Sequence, residues 1–352
     1  MQVIQYDHER MHLDSYGELV RTLYAGYPRV VESKILEAEQ NFDRSNPFHQ
    51  HGRFSSFLLL DGKRPLAHLS AIMDRRLPEN IGLFGHFECV DDIDSAKAVF
   101  HKAQEYLISH GKTIIRGPVN FTTWRNFRVS YPEEQPPFFI EPYTRSYYRE
   151  LWKGFGFDVA QCNVSTIEEI SESGYQAYEA DYRRLKQAGL TFESMKEAGA
   201  SLIVKVLHEL TREIFSDTWS FVPIELDEFS YSFNGILKVL DGDFIYLAKN
   251  HEALPIGFCF AIPDYYSGHS KRLIIKTIGI LPSARGYGIG KALLYLLHNV
   301  SCEKNISQFI FSTMRSDNIA MRNLAHTERI YRHYEVYELT SKAAKSTNNV
   351  PH

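Results

Sequence analysis

Residues 273–300 constrain the fold more than any other part of the chain. The apolar, β-branched run 273–280 predicts a mostly buried strand. Pro282 ends that strand, because proline has no N–H to donate to a ladder. The glycine-rich sequence RGYGIG follows at 285–290, and apolar residues then recur at helical spacing over 289–300. The segment is therefore predicted to be a strand, a tight turn and a helix with one buried face.

A turn of this kind is suited to binding an anion. The first backbone N–H groups of a helix have no partner within it, and the helix dipole adds partial positive charge there. Glycines allow a phosphate to approach the backbone closely, and Arg285 and Lys291 add formal charge. The alternative is an ordinary turn between a strand and a helix, with glycines that serve tight packing.

The spacing Arg-x-x-Gly-x-Gly resembles the pyrophosphate-binding motif of the GCN5-related N-acetyltransferases (GNAT). This resemblance implies a site for acetyl-CoA or a longer acyl-CoA in the second half of the chain. The implied pyrophosphate cradle consists of Arg285, Gly286, Tyr287, Gly288, Ile289, Gly290 and Lys291. It also implies that Ile278, Gly279 and Ile280 line the pantetheine and the thioester carbonyl, and that Asn318 contacts the cofactor arm.

The whole chain resembles a bacterial group of tandem acetyltransferase-fold proteins. The segments that carry this resemblance are 82–92, 116–124, 136–157 and 219–229. It implies an α/β fold of two tandem GNAT-like (acyl-CoA N-acyltransferase) domains, each with a mixed, mostly antiparallel sheet flanked by helices. The implied division is a first domain at 1–167, a helical connection at 168–190, a second domain at 191–345 and a tail at 346–352.

The predicted elements follow one order twice. In the first half we predict a helix over 12–40, strands at 57–60, 65–73, 82–90 and 113–121, and a helix at 95–110. In the second half the strands fall at 244–248, 255–262, 273–280 and 308–314. The two β-hairpins can be aligned at an offset of about 190 residues, which favours a duplication over two unrelated α/β units.

The two halves differ where a cofactor would bind. Asp91, Asp92 and Asp94 stand where the second half has its glycines. Carboxylates cap a helix start well but repel a pyrophosphate. We therefore expect the first half to bind no CoA and to form a wall of the acceptor pocket of the second half.

Transfer of an acyl group to an amine requires a polarised carbonyl, a neutral amine and a proton for the leaving thiolate. The family commonly has a carboxylate on the strand before the glycine loop, but Lys276 and Thr277 occupy those positions here. The candidate bases are Glu225 and Glu228, which are otherwise solvated carboxylates at a helix start, and the pair His86 and Glu88. That pair is alternatively a buried, hydrogen-bonded one.

The family's proton donor is commonly a tyrosine in a pattern like N-x-x-A-x-x-L-Y. Here Asn318 and Leu324 fit that pattern, but Ala325 stands at the tyrosine position. We nominate His326, Tyr331 and Glu225 as catalytic candidates, each with a structural role as its alternative.

Aromatic residues near the ends of predicted strands suggest where the acceptor binds. The nominated substrate-binding residues are His86, Glu88, Asn120, Trp124, Trp219 and Phe221. Trp and Phe supply apolar area and Asn120 supplies a donor and an acceptor, although Asn in this position also suits a turn. The expected acceptor is a small-molecule amine with an apolar or aromatic body.

Composition excludes several other classes of function. The net charge is −4 and the pI about 6.4, and no basic stripe suggests nucleic acid. Four widely spaced cysteines match no metal motif, and no run of apolar residues is long enough for a membrane span. The prediction is a cytoplasmic, metal-free N-acyltransferase that works by direct transfer from acyl-CoA or an acyl carrier protein. The alternative is a non-catalytic acyl-CoA-binding protein; the sequence does not predict an oligomeric state.

Overall fold

The computed structural model describes residues 1–171, 173–268, 271–318, 324 and 329–341. Strands and helices are interspersed along them, as expected for an α/β fold. The strands are β1 (Gln2–Tyr6), β2 (Gly52–Asp61), β3 (Arg64–Asp74), β4 (Ile81–Cys89), β5 (Ile114–Gly117), β6 (Val129–Tyr131), β7 (Asp158–Glu169), β8 (Thr191–Ser194), β9 (Ile245–Lys249), β10 (Pro255–Pro263), β11 (Arg272–Ile280), β12 (Gln308–Arg315) and β13 (Ile330–Thr340). The helices are α1 (Arg10–Leu23), α2 (Pro28–Phe42), α3 (Ile93–Ser109), α4 (Tyr148–Phe155), α5 (Glu179–Gln187), α6 (Ala200–Ile214), α7 (Leu226–Leu237) and α8 (Ile289–Glu303).

All of these strands belong to one mixed sheet. Its order is β1-β2-β3-β4-β5-β13-β7-β12-β11-β10-β9-β8, and β6 pairs with β13 beside this path. Among the described ladders, β4–β5 and β11–β12 are parallel and the others are antiparallel. The predicted mixed, mostly antiparallel sheet flanked by helices is confirmed, but the sheets of the two halves are joined edge to edge.

The halves are joined by an exchange of strands at the centre of the sheet. β13, from the end of the chain, lies between β5 and β7, with Tyr337 opposite Gly117 and Tyr334 opposite Asn163. β7, from the first half, pairs in turn with β12 of the second. Each half therefore completes its sheet with backbone hydrogen bonds to a strand of the other.

Three predicted elements differ from the structure for identifiable reasons. The helix predicted over 12–40 is two helices, because Pro28 starts α2 and disfavours helical geometry at Tyr27. The strand predicted at 113–121 ends at Gly117, since Pro118 has no N–H for the ladder. The connection predicted to be helical from residue 168 begins as the end of β7, and its α-helix is α5.

The helices cover the sheet in two groups. α3 and α4 bury Phe100 and Trp152 against the first half, and α8 buries Leu293 and Leu297 against the second. The helices α1, α2, α6 and α7 instead share one hydrophobic cluster, in which residues such as Val20, Phe42, Leu207 and Phe229 are buried. The first pair of helices in each half thus packs into a common core.

Candidate active site

The parallel strands β11 and β12 diverge halfway along their length. Their ladder ends at Ile275 opposite Phe311, although both strands continue. Beyond that point the register of β12 against β7 shifts between Phe311 and Met314, and Thr313 adopts a positive φ of 50°. The shift bends β12 away and leaves a gap beside residues 276–280.

Two backbone N–H groups of β11 face this gap. The N–H of Leu281 donates to the carbonyl of Ile256 at 2.9 Å, which directs it toward β10. N–H directions alternate along a strand, so Gly279 also faces β10 while Ile278 and Ile280 face the gap. These are residues that the sequence predicted beside a thioester carbonyl.

The glycine-rich turn lies at the open end of β11. Gly286 and Gly288 have φ values of 88° and 89°, which glycine adopts without strain. Helix α8 begins immediately afterwards at Ile289. Among the described residues, no acceptor bonds the backbone N–H groups of residues 286–291. The turn therefore presents a row of unpaired donors at a helix N-terminus, which is a suitable cradle for a phosphate.

Arg285 is fixed at the rim of this cradle. Its Nε donates to the carbonyl of Ile280 at 3.1 Å, and its Nη2 donates to the carbonyl of Ile214 at 3.3 Å. The side chain remains exposed. Arg285 thus braces the end of β11 against α6 while its charge stays available to a ligand.

Helix α5 supplies further charges that the sequence analysis did not assign to the site. Arg184 donates to the carbonyl of Tyr287 at 2.6 Å and pairs with Asp181 at 2.8 Å. Lys291 lies 3.9 Å from the same carboxylate. A Cβ added at Gly288 would lie 2.6 Å from Asp181 Oδ1. The carboxylate is thus neutralised by two cations and fills the space behind the turn.

The bend in β12 is held by a strand of the first half. Ser165 on β7 accepts a hydrogen bond from the N–H of Thr313 at 3.0 Å and bonds the hydroxyl of Tyr334 at 3.0 Å. Tyr334 in turn donates to Glu141 at 2.7 Å. Burial raises the pKa of Glu141, while its ion pair with Arg332 opposes that shift. This buried network connects the gap in the second half to residues of the first.

Lys276 occupies a bulge in β11 next to the gap. Phe260 pairs with Thr277 and Ala261 with Ile275, so Lys276 is the extra residue. The side chain forms no ion pair with any described residue. Burial lowers the pKa of Lys276 to about 8, and the nearby Arg128 adds to the shift. A lysine of this kind changes its charge close to neutral pH.

The corresponding gap in the first half is closed. The β4–β5 ladder ends at Leu83, and beyond it the N–H of Val119 donates to the carbonyl of Phe84 at 2.7 Å. Asn120 Oδ1 accepts the N–H of His86 at 2.7 Å. A Cβ at Gly85 would lie only 2.2 Å from Val119 O, so glycine is needed for this close approach.

The helix start after β4 is also satisfied within the chain. Asp92 Oδ2 accepts the N–H of Ser95 at 2.8 Å, which is the predicted side-chain cap of α3. The first half thus closes its strand gap with hydrogen bonds and places a capping carboxylate at its helix start, where the second half has the unpaired N–H groups of residues 286–291.

His86 and Glu88 are buried in separate hydrogen-bonded environments. Glu88 binds Lys34 at 2.7 Å and accepts the hydroxyls of Tyr24 at 2.9 Å and Tyr148 at 2.8 Å. His86 Nε2 lies 2.9 Å from Asn41 Nδ2, and burial lowers the pKa of His86 well below its ordinary value. The geometry favours the predicted alternative of a buried, hydrogen-bonded role over that of a base for the second half.

The six nominated substrate residues fall into two groups. His86, Glu88 and Asn120 line a cavity in the first half. Trp124, Trp219 and Phe221 lie instead where the α6–α7 loop meets the segment after β5. Trp124 Nε1 donates to the carbonyl of Val222 at 2.8 Å.

The second group is an interface between the halves. The ring centroid of Phe221 lies 5.6 Å from that of Trp124, and Arg116 lies 5.2 Å over the ring of Trp219. The first half therefore supports the α6–α7 loop of the second through aromatic and cationic contacts.

The nominated catalytic side chains are not gathered at the gap. Glu225 precedes the first residue of α7 and is exposed. Its carboxylate lies 4.0 Å from the guanidinium of Arg212 on α6. Glu228 is buried and pairs with Arg76 at 2.6 Å, so the expectation of a solvated carboxylate there is wrong. Tyr331 is buried, and its hydroxyl donates to the carbonyl of Pro136 at 2.6 Å.

The remaining nominations concern the chain after β12. Asn318 is exposed and follows the end of β12, where its N–H donates to the carbonyl of Arg315 at 3.0 Å. His326 lies outside the described residues. Leu324 is among the described residues, and its side chain lies beside the start of α8. A Cβ added at Gly290 would be 3.3 Å from Leu324 Cδ1.

Metal ligands and membrane-spanning segments are two further features to consider. The described residues contain no group of three or more His, Cys, Asp or Glu side chains arranged to hold a metal ion. None of their helices combines the length and the apolar character that crossing a membrane requires.

The chain is similar in sequence to a known protein family and to two bacterial proteins. Residues 204–327 match the model of the Acetyltransferase (GNAT) family. A protein named bacterial ceramide synthase, from Caulobacter vibrioides, is 23% identical over 215 residues, which cover 58% of this chain and 55% of that protein. Protein YghO of Escherichia coli is 18% identical over 248 residues, 69% of this chain and 63% of that one. The matches thus span little more than half of each relative.

Solved structures share the complete fold. A tandem GNAT protein from the clavulanic acid biosynthesis pathway has a TM-score of 0.54 at 10% identity, over 96% of this chain and 98% of that one. A GCN5-related N-acetyltransferase from Sphaerobacter thermophilus has a TM-score of 0.52 at 11% identity, over 96% and 95%. These likenesses confirm the tandem GNAT fold and, with the family match, the resemblance to the GNAT superfamily.

Proposed function

We propose that this protein is an N-acyltransferase that moves an acyl group from acyl-CoA to an amine, with the reaction in its second half. One observation carries the proposal. The gap between β11 and β12 presents the N–H groups of Ile278 and Ile280 next to a glycine turn with unpaired backbone donors. A thioester with a pyrophosphate-containing arm matches both features at once.

The donor is recognised along the length of the site. The N–H groups of residues 286–291 bind the pyrophosphate, and Arg285 and Lys291 supply charge at its rim. The pantetheine then runs along the open edge of β11. This arrangement brings the thioester to the two inward N–H groups.

The chemistry follows from these donors. The amine nitrogen attacks the thioester carbon and forms a C–N bond, while the carbonyl oxygen gains negative charge. The N–H groups of Ile278 and Ile280 stabilise that oxygen, and a preorganised donor of this kind contributes about 3 kcal/mol. The C–S bond then breaks, and the thiolate takes up a proton as the amine loses one. No carboxylate lies on β11, so water carries the proton from the amine.

We propose that the acceptor is an amine with an apolar body. The α6–α7 loop, with Trp219 and Phe221, would form one wall of its pocket, and Trp124 of the first half holds that loop in place. The name of the ceramide synthase relative supports a long-chain amine as one candidate acceptor. The first half would then serve as a wall rather than as a second catalytic unit.

Release of free CoA tests this function. The purified chain is incubated with acetyl-, octanoyl- or palmitoyl-CoA and with a long-chain amino alcohol, an aromatic amine or an amino sugar. We expect thiol release and an amide product with one of the apolar amines. The Gly288→Asp variant provides the blank. Acyl carrier protein loaded with the same acyl groups tests the other donor class.

A second candidate is a non-catalytic acyl-CoA-binding protein. It is favoured by Lys276 and Thr277, which stand where the family commonly has a carboxylate, and by Ala325 at the tyrosine position. Tight acyl-CoA binding without turnover on any amine class would establish this candidate instead.

A further inference from the structure

The cavity in the first half is polar and contains a cation without a partner. It is lined by residues of α2, the end of β4 and the segments 118–128 and 138–144, together with Tyr16, Tyr148 and, from the second half, Tyr266. Its volume is about 50 Å³. Because a buried water needs about 10–15 Å³, the cavity accommodates about three to five water-sized atoms.

Every carboxylate on the cavity wall already has partners. Glu88 is held by Lys34 and by two tyrosine hydroxyls. Glu37 accepts the side-chain amide of Asn126 at 2.8 Å and that of Asn120 at 3.2 Å. Glu141 is held by Arg332 and Tyr334. None of the three carboxylates forms a salt bridge to the remaining cation of the wall, Arg128.

Arg128 therefore lacks a counter-charge within the described structure. Its Nε is buried and has no hydrogen-bond partner, and its guanidinium carbon lies 3.5 Å above the ring of Phe127. Lys276 of the second half is close enough for the charge of Arg128 to lower its pKa, but Lys276 is also a cation and supplies no counter-charge. Arg128 is half-buried, and burying part of a guanidinium without an anion carries a desolvation cost, so an occupant that neutralises Arg128 would be bound favourably.

Two further features of the wall favour an anion. His86 Nε2 lies 2.9 Å from the amide nitrogen of Asn41, and the buried Nδ1 of His86 has no hydrogen-bond partner among the described residues. In the tautomer whose Nε2 accepts from this amide, Nδ1 carries a proton that an anion can accept. Arg128 has a φ of 105°, a strained value for a residue with a side chain. Strain of this kind persists where the surroundings fix a functional geometry.

We propose that this cavity is a binding site for a small carboxylate, which accepts hydrogen bonds from Arg128. The fork of a guanidinium matches the two oxygens of a carboxylate, and acetate has the four heavy atoms that the cavity accommodates. Most of the site lies in the half without the CoA cradle, and the proposal does not depend on the proposed acyl transfer.

Thermal unfolding of the full chain in sodium acetate and in sodium chloride of equal ionic strength tests the proposal, with no acyl-CoA present. We expect acetate to raise the Tm saturably in the wild type. The control variant Arg64→Met, at the exposed first residue of β3, should respond to acetate in the same way. In Arg128→Met the acetate effect should vanish. The Tm of this variant without acetate should not be lower than that of the wild type, because the substitution removes a cation that has no counter-charge. Equal responses to the two salts, or an acetate effect that survives in Arg128→Met, would contradict the site.

Two measurements keep the proposal testable if Arg128→Met does not fold. The carboxyl ¹³C signal of labelled acetate should show saturable exchange with one site per wild-type chain. Arg128→Lys, which keeps the charge but loses the fork, should weaken that binding several-fold. Inorganic phosphate is the comparison anion: stronger stabilisation by phosphate than by acetate would overturn the carboxylate assignment.

Discussion

The two halves contain the same gap between parallel strands but treat it differently. In the first half the backbone donors past the end of the ladder are bonded to the chain itself, through Val119 and Asn120, and Asp92 caps the following helix. In the second half the donors of residues 278, 280 and 286–291 are left without partners within the described structure.

In the proposed function, acyl-CoA is bound by backbone groups that the fold leaves unpaired in the second half only. A backbone donor costs stability when it is buried without a partner, and the first half satisfies the donors beside its gap with a side chain and a returning loop. The halves remain coupled, because β7 of the first half holds the bend of β12 through Ser165. The closed half therefore supports the open one.

The largest effect should come from closing the open half. Gly288→Asp adds a Cβ 2.6 Å from Asp181 Oδ1, strains a positive φ and places a second carboxylate in the cradle. We expect acyl-CoA affinity to fall by at least about 100-fold in calorimetry, or roughly 2.7 kcal/mol. Gly62→Asp is the control, at a positive-φ glycine with open space in the first half. Unchanged affinity in Gly288→Asp would remove the cradle assignment.

Lys276 should make the stability of the open half depend on pH. Its folded pKa of about 8 lies below the unfolded value near 10.5. The unfolded chain therefore binds more protons between these values, and stability rises with pH across this window. Relative to Lys276→Met, the wild type should gain up to about 3 kcal/mol from pH 7 to pH 10.5. The control is Lys63→Met on the exposed β2–β3 turn. The difference in unfolding free energy between the wild type and this variant, measured by denaturant titration, should not change with pH.

The support that the closed half gives to the gap should be measurable at Ser165. Ser165→Ala leaves the N–H of Thr313 and the hydroxyl of Tyr334 with one partner fewer, which costs about 1–2 kcal/mol. We expect kcat/KM for acyl transfer to fall several-fold while one acyl-CoA still binds per chain. Ser301→Ala is the control, because its buried hydroxyl has no partner to lose. Identical kinetics in the two variants would mean that β7 does not position the gap.

The smallest effect should appear where the first half braces the α6–α7 loop. Trp124→Phe keeps an aromatic ring but removes the bond to Val222, worth about 1 kcal/mol. The acceptor KM should rise about five-fold with acyl-CoA affinity unchanged. Tyr265→Phe removes a comparable bond to Val239 at the surface and should leave the KM alone. A shift in acyl-CoA affinity instead would place Trp124 on the donor side.

Local patterns in the sequence predicted most individual elements and the open site. The run 273–280, the glycines at 286 and 288 and the apolar face of α8 all lie in one continuous stretch, so their geometry depends on near neighbours. The strand exchange of β7 and β13 was not predicted, because alternation marks a strand without identifying its partner.

Side-chain placement was harder to predict wherever it depended on the other half. Asp181 and Arg184 reach the cradle from a helix far earlier in the chain, and Glu228 is buried only because Arg76 meets it. Lys276 did carry a signal, since a charged residue interrupts an apolar strand, but its bulge and its depressed pKa arise from tertiary packing.

Hydrogen exchange of the backbone amides, with and without acyl-CoA, tests the difference between the halves most directly. We expect acyl-CoA to slow amide exchange at residues 278–291 and to leave exchange at residues 84–95 unchanged. Calorimetry should show one acyl-CoA molecule bound per chain. Protection at residues 84–95, or saturation without protection at residues 278–291, would contradict the assignment of one open and one closed half.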